Sequence, residues 1–263
     1  MKPVPAVAPV RDEVPRRVRP AQARPPACPT GVALLLLLAG ASSADAQARF
    51  TARAHVGLEQ HGDLGGVAPW QEAERSRLAA RGIAAEPTSD FPAYLSLEGA
   101  VGVVLGDVGL GVLAGFSSTG GRLAYADYSG SFVADRIAER SVLGLYGEAF
   151  PATVGPVRVG AGLTVRVNRT TVTYRRRVQI GDEEVEAADA ELRGTPLSVE
   201  PAALAETTLL GPVSARVRLG WELSSSSGLD GDSPLPAEAS ASGLSVGWSG
   251  LRASAGISFS FGR

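Results

Sequence analysis

From Leu251 to Phe261 every odd position is apolar (Leu251, Ala253, Ala255, Ile257, Phe259, Phe261), and the even positions carry Arg252, Ser254, Gly256, Ser258 and Ser260. An unbroken period of two marks a β-strand with one greasy and one polar face. A chain that ends in such a strand must supply two different surroundings, one for each side of a sheet.

The same alternation recurs upstream. Phe50, Ala52, Ala54, Val56 and Leu58 oppose Thr51, Arg53, His55, Gly57 and Glu59 in a first strand. Leu95, Leu97, Val101, Val103 and Leu105 form the apolar face of a second, about 91–105, and Val108, Leu110, Val112, Ala114 and Phe116 that of a third. Gly106-Asp107 between them is a short hairpin signal. Gly155-Pro156 joins strands expected over about 141–153 and 157–178, and Gly211-Pro212 joins strands over about 197–210 and 213–224. Long polar segments separate these units, roughly 61–90, 118–140, 179–196 and 225–242, with a short amphipathic helix expected near Trp70 to Gly82. A first strand, three hairpins and a closing strand make eight. We read the closing strand as running from Gly243 with a bulge near Ser249-Gly250; a fourth turn at Trp248-Ser249-Gly250-Leu251 would make nine.

The N-terminus is of another kind. Arg16, Arg17, Arg19 and Arg24 precede the apolar run 32–39, and Ala44-Asp45-Ala46 follows it. This is the layout of a secretory signal peptide, with cleavage expected after Ala46 and a retained anchor as the alternative. The domains are therefore expected as 1–46, a Pro/Arg-rich leader with the signal, and 47–263, one β-domain. The single cysteine, Cys28, leaves with the leader, which removes disulfide and thiol chemistry. The remaining 217 residues hold 19 Lys/Arg and 24 Asp/Glu, too acidic a balance for a nucleic-acid partner.

The polar faces of the strands hold small residues (Gly102, Gly109, Gly111, Gly115, Gly160, Gly162, Gly220, Gly256) and balanced charge: Arg53, Arg158, Arg166, Arg216, Arg218 and Arg252 against Glu59, Glu98, Glu148, Glu200, Glu206 and Glu222. Small residues beside paired charges suit a cramped polar interior, and buried charge persists only when paired. Acids come from the second, fourth and sixth strands and most arginines from the fifth and seventh. Neighbouring strands are thus expected to face each other with opposite sign, Glu206 opposite Arg216. Phe150 falls on this polar face, against the pattern.

Short turns at one end, long loops at the other and aromatics near both ends, here Phe50, Phe259 and Phe261 at the turns and Phe116, Trp221 and Trp248 at the loops, are how transmembrane β-barrels are built. The pattern and the terminal Phe259 and Phe261 resemble small bacterial outer-membrane β-barrels of the OmpX- and OmpA-like kind, although Gly262 and Arg263 follow the last aromatic. The resemblance implies an all-β fold: an eight-stranded antiparallel up-and-down transmembrane barrel with short periplasmic turns and long extracellular loops. It implies an outer-membrane location in a Gram-negative-type bacterium, lipid and lipopolysaccharide around the wall, an assembly machinery that reads Phe259 and Phe261, and a monomer.

Three functions follow as expectations. The first is a structural or surface-interaction protein whose interior is plugged by charge, since eight strands enclose only side chains. The second is a narrow passive channel. The third is a lipid A-modifying enzyme, for which His61 stands at the height of the outer rim, with His55 read as an interior residue; no Ser or Asp is tied to either by spacing. Arg175-Arg176-Arg177 is a candidate contact for lipopolysaccharide phosphates or a solvated strand end. Asp182, Glu183, Glu184, Glu186, Asp189 and Glu191 lack the spaced ligands and glycine of a calcium loop and read as a solvated acidic run that pairs with those arginines. With no phosphate-cradling loop, zinc spacing or nucleophile elbow, no cofactor is expected.

Overall fold

The structure is a computed structural model that describes residues 48–61, 64–231, 235–236 and 243–261. The leader, with Ala44 and Ala46, lies outside the described residues. In chain order the elements are β1 (Ala48–His61), α1 (Val67–Ala79), β2 (Glu86–Asp90), β3 (Tyr94–Leu105), β4 (Val108–Asp127), β5 (Gly130–Val154), β6 (Val157–Ile180), β7 (Glu183–Gly194), β8 (Leu197–Leu210), β9 (Val213–Ser224), β10 (Ser227–Gly228), β11 (Asp230–Gly231), β12 (Ser245–Val246) and β13 (Gly250–Phe261). No described helix is long and apolar enough to cross a membrane.

Eight of these strands pair antiparallel in a closed ring, β1–β3–β4–β5–β6–β8–β9–β13 and back to β1. Closure leaves the ring without a free edge. Three two-residue turns, Gly106-Asp107, Gly155-Pro156 and Gly211-Pro212, link β3 to β4, β5 to β6 and β8 to β9. Each opens on a glycine with φ between 53° and 60°. A positive φ at the first central position is what a hairpin turn of this length asks of glycine.

The closing strand begins later than expected. β13 starts at Gly250, and Ser245–Val246 pairs instead with Ser227–Gly228 above the ring. The segment 247–249 is neither a ninth-strand turn nor a bulge but a fold-over that carries Trp248 inward, where it is fully buried and its Nε1 donates to Thr170 at 2.8 Å. Phe116 and Trp221 stay outward, 49% and 53% exposed. Trp248, expected with them, is thus a core residue.

Two segments read as loops are mostly strand. β4 and β5 stay paired to Asp127↔Gly130, and β6 pairs with β7 from Thr170↔Gly194 to Ile180↔Glu183, so a wall rises beyond the ring. The physical reason is a reversal of sides. Along β5 the outward positions run Leu145, Leu143, Ser141, Glu139, Ile137, Asp135 and Val133, and along β6 Val165, Val167, Arg169, Thr171, Thr173 and Arg175. The inward positions change the other way, from Glu148 and Arg140 to Ala138, Ala134 and Phe132, and from Arg166 to Val172 and Tyr174. Alternation continues, and the inner face turns mainly apolar while the outer face of β6 turns polar; on β5 the buried Arg136 and the outward Ile137 and Val133 interrupt the change.

Helix α1 explains the flip. Its buried face, Val67, Trp70, Gln71, Glu74 and Leu78, packs with Leu123, Phe132, Ala134, Val172, Tyr174, Leu192 and Trp248 into an apolar core. Glu74 is buried there and ion-pairs with Arg136, itself sandwiched between the Trp70 and Tyr174 rings at 4.6 and 5.3 Å. The helix caps the ring, with an apolar storey above a charged one.

The outermost turn of the wall is clamped by Asp127. Its carboxylate accepts from the Ser129 N–H (2.8 Å) and hydroxyl (2.7 Å), the Gly130 N–H (3.1 Å) and the Tyr125 hydroxyl (2.7 Å). These bonds, the Ser129 hydroxyl first, hold its pKa at about 2, below the ordinary 3.8. The clamp is therefore at full strength above about pH 4 and is lost as pH falls through about 2. The Ser129 and Gly130 amide resonances should hold their positions from neutral pH to about pH 3; movement with an ordinary aspartate midpoint would refute the clamp.

Candidate functional site

Inside the ring the charged faces meet in two clusters. Near the turn end Glu148 is gripped by two guanidiniums: Arg53 Nη1 lies 2.9 Å from Oε2 and Arg216 Nη1 3.2 Å from Oε1, each with a second bond. Glu206 follows, 3.5 Å from Arg216 and 3.8 Å from Arg158, and Arg158 reaches Asp107 at 2.9 Å. Phe150 now has an explanation. It lies buried with Ala202 and Leu204, its ring 4.8 Å from the Arg158 guanidinium and 5.4 Å from that of Arg216, an apolar floor held by cation–π contact.

The second cluster lies deeper. Arg252 reaches Glu59 (2.8 Å), Glu200 (2.7 Å) and Glu98 (3.4 Å). Arg166 pairs with Glu98 (3.2 Å) and Glu200 (2.5 Å), and Arg218 with Glu200 (2.7 Å), while Arg140 bridges Glu59 and Glu222. Glu59, Glu200 and Glu222 are wholly enclosed. Four glutamates meet four arginines here, and three acids meet three arginines below, so the interior is neutral.

The contacts differ from expectation in one respect. Glu206 does stand opposite Arg216. Most pairs, however, cross the interior: Arg53 on β1 meets Glu148 on β5, Arg140 on β5 meets Glu222 on β9, and Arg166 on β6 meets Glu98 on β3. A ring this narrow lets long side chains reach the far wall, where they find a partner without lying along their own sheet. Arg140 and Asp107 are the members that the sequence did not supply. Arg140 stood in a presumed loop, although counting back in twos from Glu148 would have placed it on the inner face.

Between the clusters the described residues leave a gap of about 20 Å³, lined among others by Arg53, His55, Glu98, Tyr146 and Arg218. That is room for about one water. Gly102 and Gly111 face each other beneath the Tyr146 hydroxyl, and a Cβ on either would run into it.

His61 sits under the cap rather than at an open rim. Its Nδ1 is 2.7 Å from the Tyr94 hydroxyl, its ring stacks on Tyr94 and meets Trp248 edge-on, and its Nε2 is 3.9 Å from Glu222. Glu59, His61 and Glu222 bring ligating atoms within 4.8 Å of one another. Both carboxylates already hold Arg140 and Arg252, so a divalent cation would enter against two guanidiniums. The chemistry is that of a salt-bridge core.

The three consecutive arginines divide between two faces, because neighbours on a strand point to opposite sides. Arg176 turns inward and pairs with Glu186 at 3.1 Å; Arg177 turns outward and holds Asp189 at 3.0 and 3.2 Å, keeping that carboxylate below its usual pKa. Arg175 stands across from Asp135 and Asp189 in the ladder. Of the acidic run, Asp182 lies in the turn and the rest on β7, where a bulge separates Glu184, opposite Gln179, from Glu186, opposite Val178. Phe259 and Phe261 lie on the outer face at the turn end, paired with Ala52 and Phe50.

No protein-family model matches the chain, and no curated protein matches it. Among solved structures it is similar to the crystal structure of Neisserial surface protein A, at 12% sequence identity and a TM-score of 0.37, over 82% of this chain and 99% of that one.

Proposed function

We propose that this chain is an outer-membrane β-barrel protein of the OmpX- and OmpA-like kind, exported through a cleaved signal peptide. Its charge-plugged interior does not conduct, and it acts as a structural or surface-interaction protein through the wall and loops at its outer end. One observation carries the reading: the ring is turned inside out relative to a water-soluble protein. Leu95, Leu97, Val101, Val112, Leu143, Leu145, Val165, Val217 and Leu219 stand on the outer surface, each at least 46% exposed, while the glutamates and arginines are enclosed. Soluble monomers seldom expose contiguous apolar patches beyond a few hundred Å². A belt around a closed ring suits lipid, and closure satisfies the backbone where water is absent.

The belt has limits. On β6 it runs from Val159 to Val167 and stops at Arg169; on β5 it stops at Ser141. Above that level the outer face of β6 is polar, and on β5 Glu139 and Asp135 alternate with Ile137 and Val133, so the continuous apolar belt ends there. The interior argues against a pore, since two neutral ion-pair clusters and a helix cap stand in series.

Two experiments test this. Fractionation of the native host should place the protein in the outer membrane, with folded and boiled forms migrating differently; recovery from the soluble periplasm would end the reading. Purified protein in planar bilayers should show no steady conductance, and discrete channels of reproducible size would favour the passive-channel alternative.

A further inference from the structure

The tips of the two outermost hairpins are tied together. The Gly181 N–H donates to the Ser129 carbonyl at 3.0 Å, and Gly130 pairs with Ile180, so the β4–β5 and β6–β7 turns form one crest. The Asp127 clamp fixes one turn, and Gly181, at φ 60°, closes the other. On this crest Tyr128 is 101% exposed, Ile180 62% and Val185 50%. Far above the apolar belt, at the tip of the wall, these three exposed side chains belong to none of the described core clusters.

Their surroundings are one-signed. Within 127–130 and 179–185 the charged residues are Asp127, Asp182, Glu183 and Glu184, with no lysine or arginine. The nearest cation, Arg177, lies 3.7 Å from Glu184 and is already engaged by Asp189. An aromatic anchor on a fixed turn, within an acidic rim, has the features of a contact centre: a residue type enriched among binding hot spots, little ordering entropy to lose, and charge that selects the partner. The sign also selects the class. Anionic lipid and phosphate-bearing glycolipid surfaces would be repelled, whereas a protein surface with an apolar recess bordered by lysine or arginine would be attracted.

We propose that the crest of Tyr128, Ile180 and Val185, rimmed by Asp127, Asp182, Glu183 and Glu184, is a docking surface for a protein partner that offers an apolar recess bordered by basic side chains. The proposal rests on the surface-interaction reading and supplies its contact residues.

The test pans a random peptide library against the whole mature protein in phosphatidylcholine nanodiscs. The enriched peptides are then titrated onto the wild type and onto the Tyr128→Ser/Ile180→Ser variant, whose folding is checked by heat-dependent migration. The expected peptides carry lysine or arginine beside an apolar anchor, bind more weakly in high salt, and lose at least about tenfold in affinity on the variant. Failure to enrich any peptide, enrichment of peptides without basic residues, or equal binding by the variant would overturn the proposal. So would tighter binding of the wild type to phosphatidylglycerol vesicles than to any peptide. Because panning uses purified protein, its failure leaves the fractionation result standing, and a soluble location would sink the broader reading without touching the panning.

Discussion

Replacing Glu148 by alanine will destabilise the folded protein by about 3–5 kcal/mol, the usual cost of breaking a buried ion pair from one side. Glu148 is the carboxylate on which both Arg53 and Arg216 close, and all three side chains are almost wholly enclosed. Its removal strands two guanidiniums. Arg53 pairs with Glu148 and not with Glu206, and Arg216 already shares Glu206 with Arg158. The measurement is urea unfolding in lipid vesicles, followed by the fluorescence of Trp70, Trp221 and Trp248, with the midpoint converted through the wild-type slope. A companion variant, Glu148→Met/Arg53→Leu/Arg216→Met, removes all three charges together and should recover most of the loss, because apolar side chains of similar size can replace buried ions at little cost. A single variant within about 0.5 kcal/mol of wild type would mean that water reaches the cluster and that the plug is not dry.

That cluster also marks how far the sequence could be read. Ten of the twelve charges named from strand parity lie in ion-pair contact inside the ring with partners that parity could also have named, because a period of two survives any error in strand length. The remaining two, Arg158 and Glu206, lie nearer the turn end, where they meet each other, Glu206 also meets Arg216 and Arg158 also meets Asp107. Parity could not show which charge meets which, since cross-interior pairing depends on the ring's width and on side-chain length. The upper wall was missed for a different reason. Phe132, Ala134 and Tyr174 are apolar where Glu148 and Arg166 are charged, on the same inward face of the same strands. A rule that puts apolar residues outside fails where a helix occupies the interior. Trp248 misled similarly: a tryptophan near a strand end fits an interface position, and only the β10–β12 pairing and the bond to Thr170 turn it inward.

Leu145→Arg should separate the two environments that the outer wall could face. Leu145 is 65% exposed on β5, between Val112 on β4 and Val165 on β6, well inside the apolar belt. On a protein dissolved in water, a leucine so exposed would change to arginine within about 0.5 kcal/mol. In a bilayer the same change places a guanidinium among acyl chains and costs about 2–4 kcal/mol near the midplane. Thr173→Arg is the matched control. It sits on the outer face of β6 beyond Arg169, between Thr171 and Arg175 and opposite Glu191 on β7 and Ile137 on β5, and it should be nearly neutral in either case. The decisive quantity is the difference between the two variants in lipid-vesicle unfolding. A gap of about 2 kcal/mol or more puts acyl chains against Leu145, and equal midpoints would put water there. If water lies against Leu145, the enclosed charges would no longer signify a membrane-spanning ring.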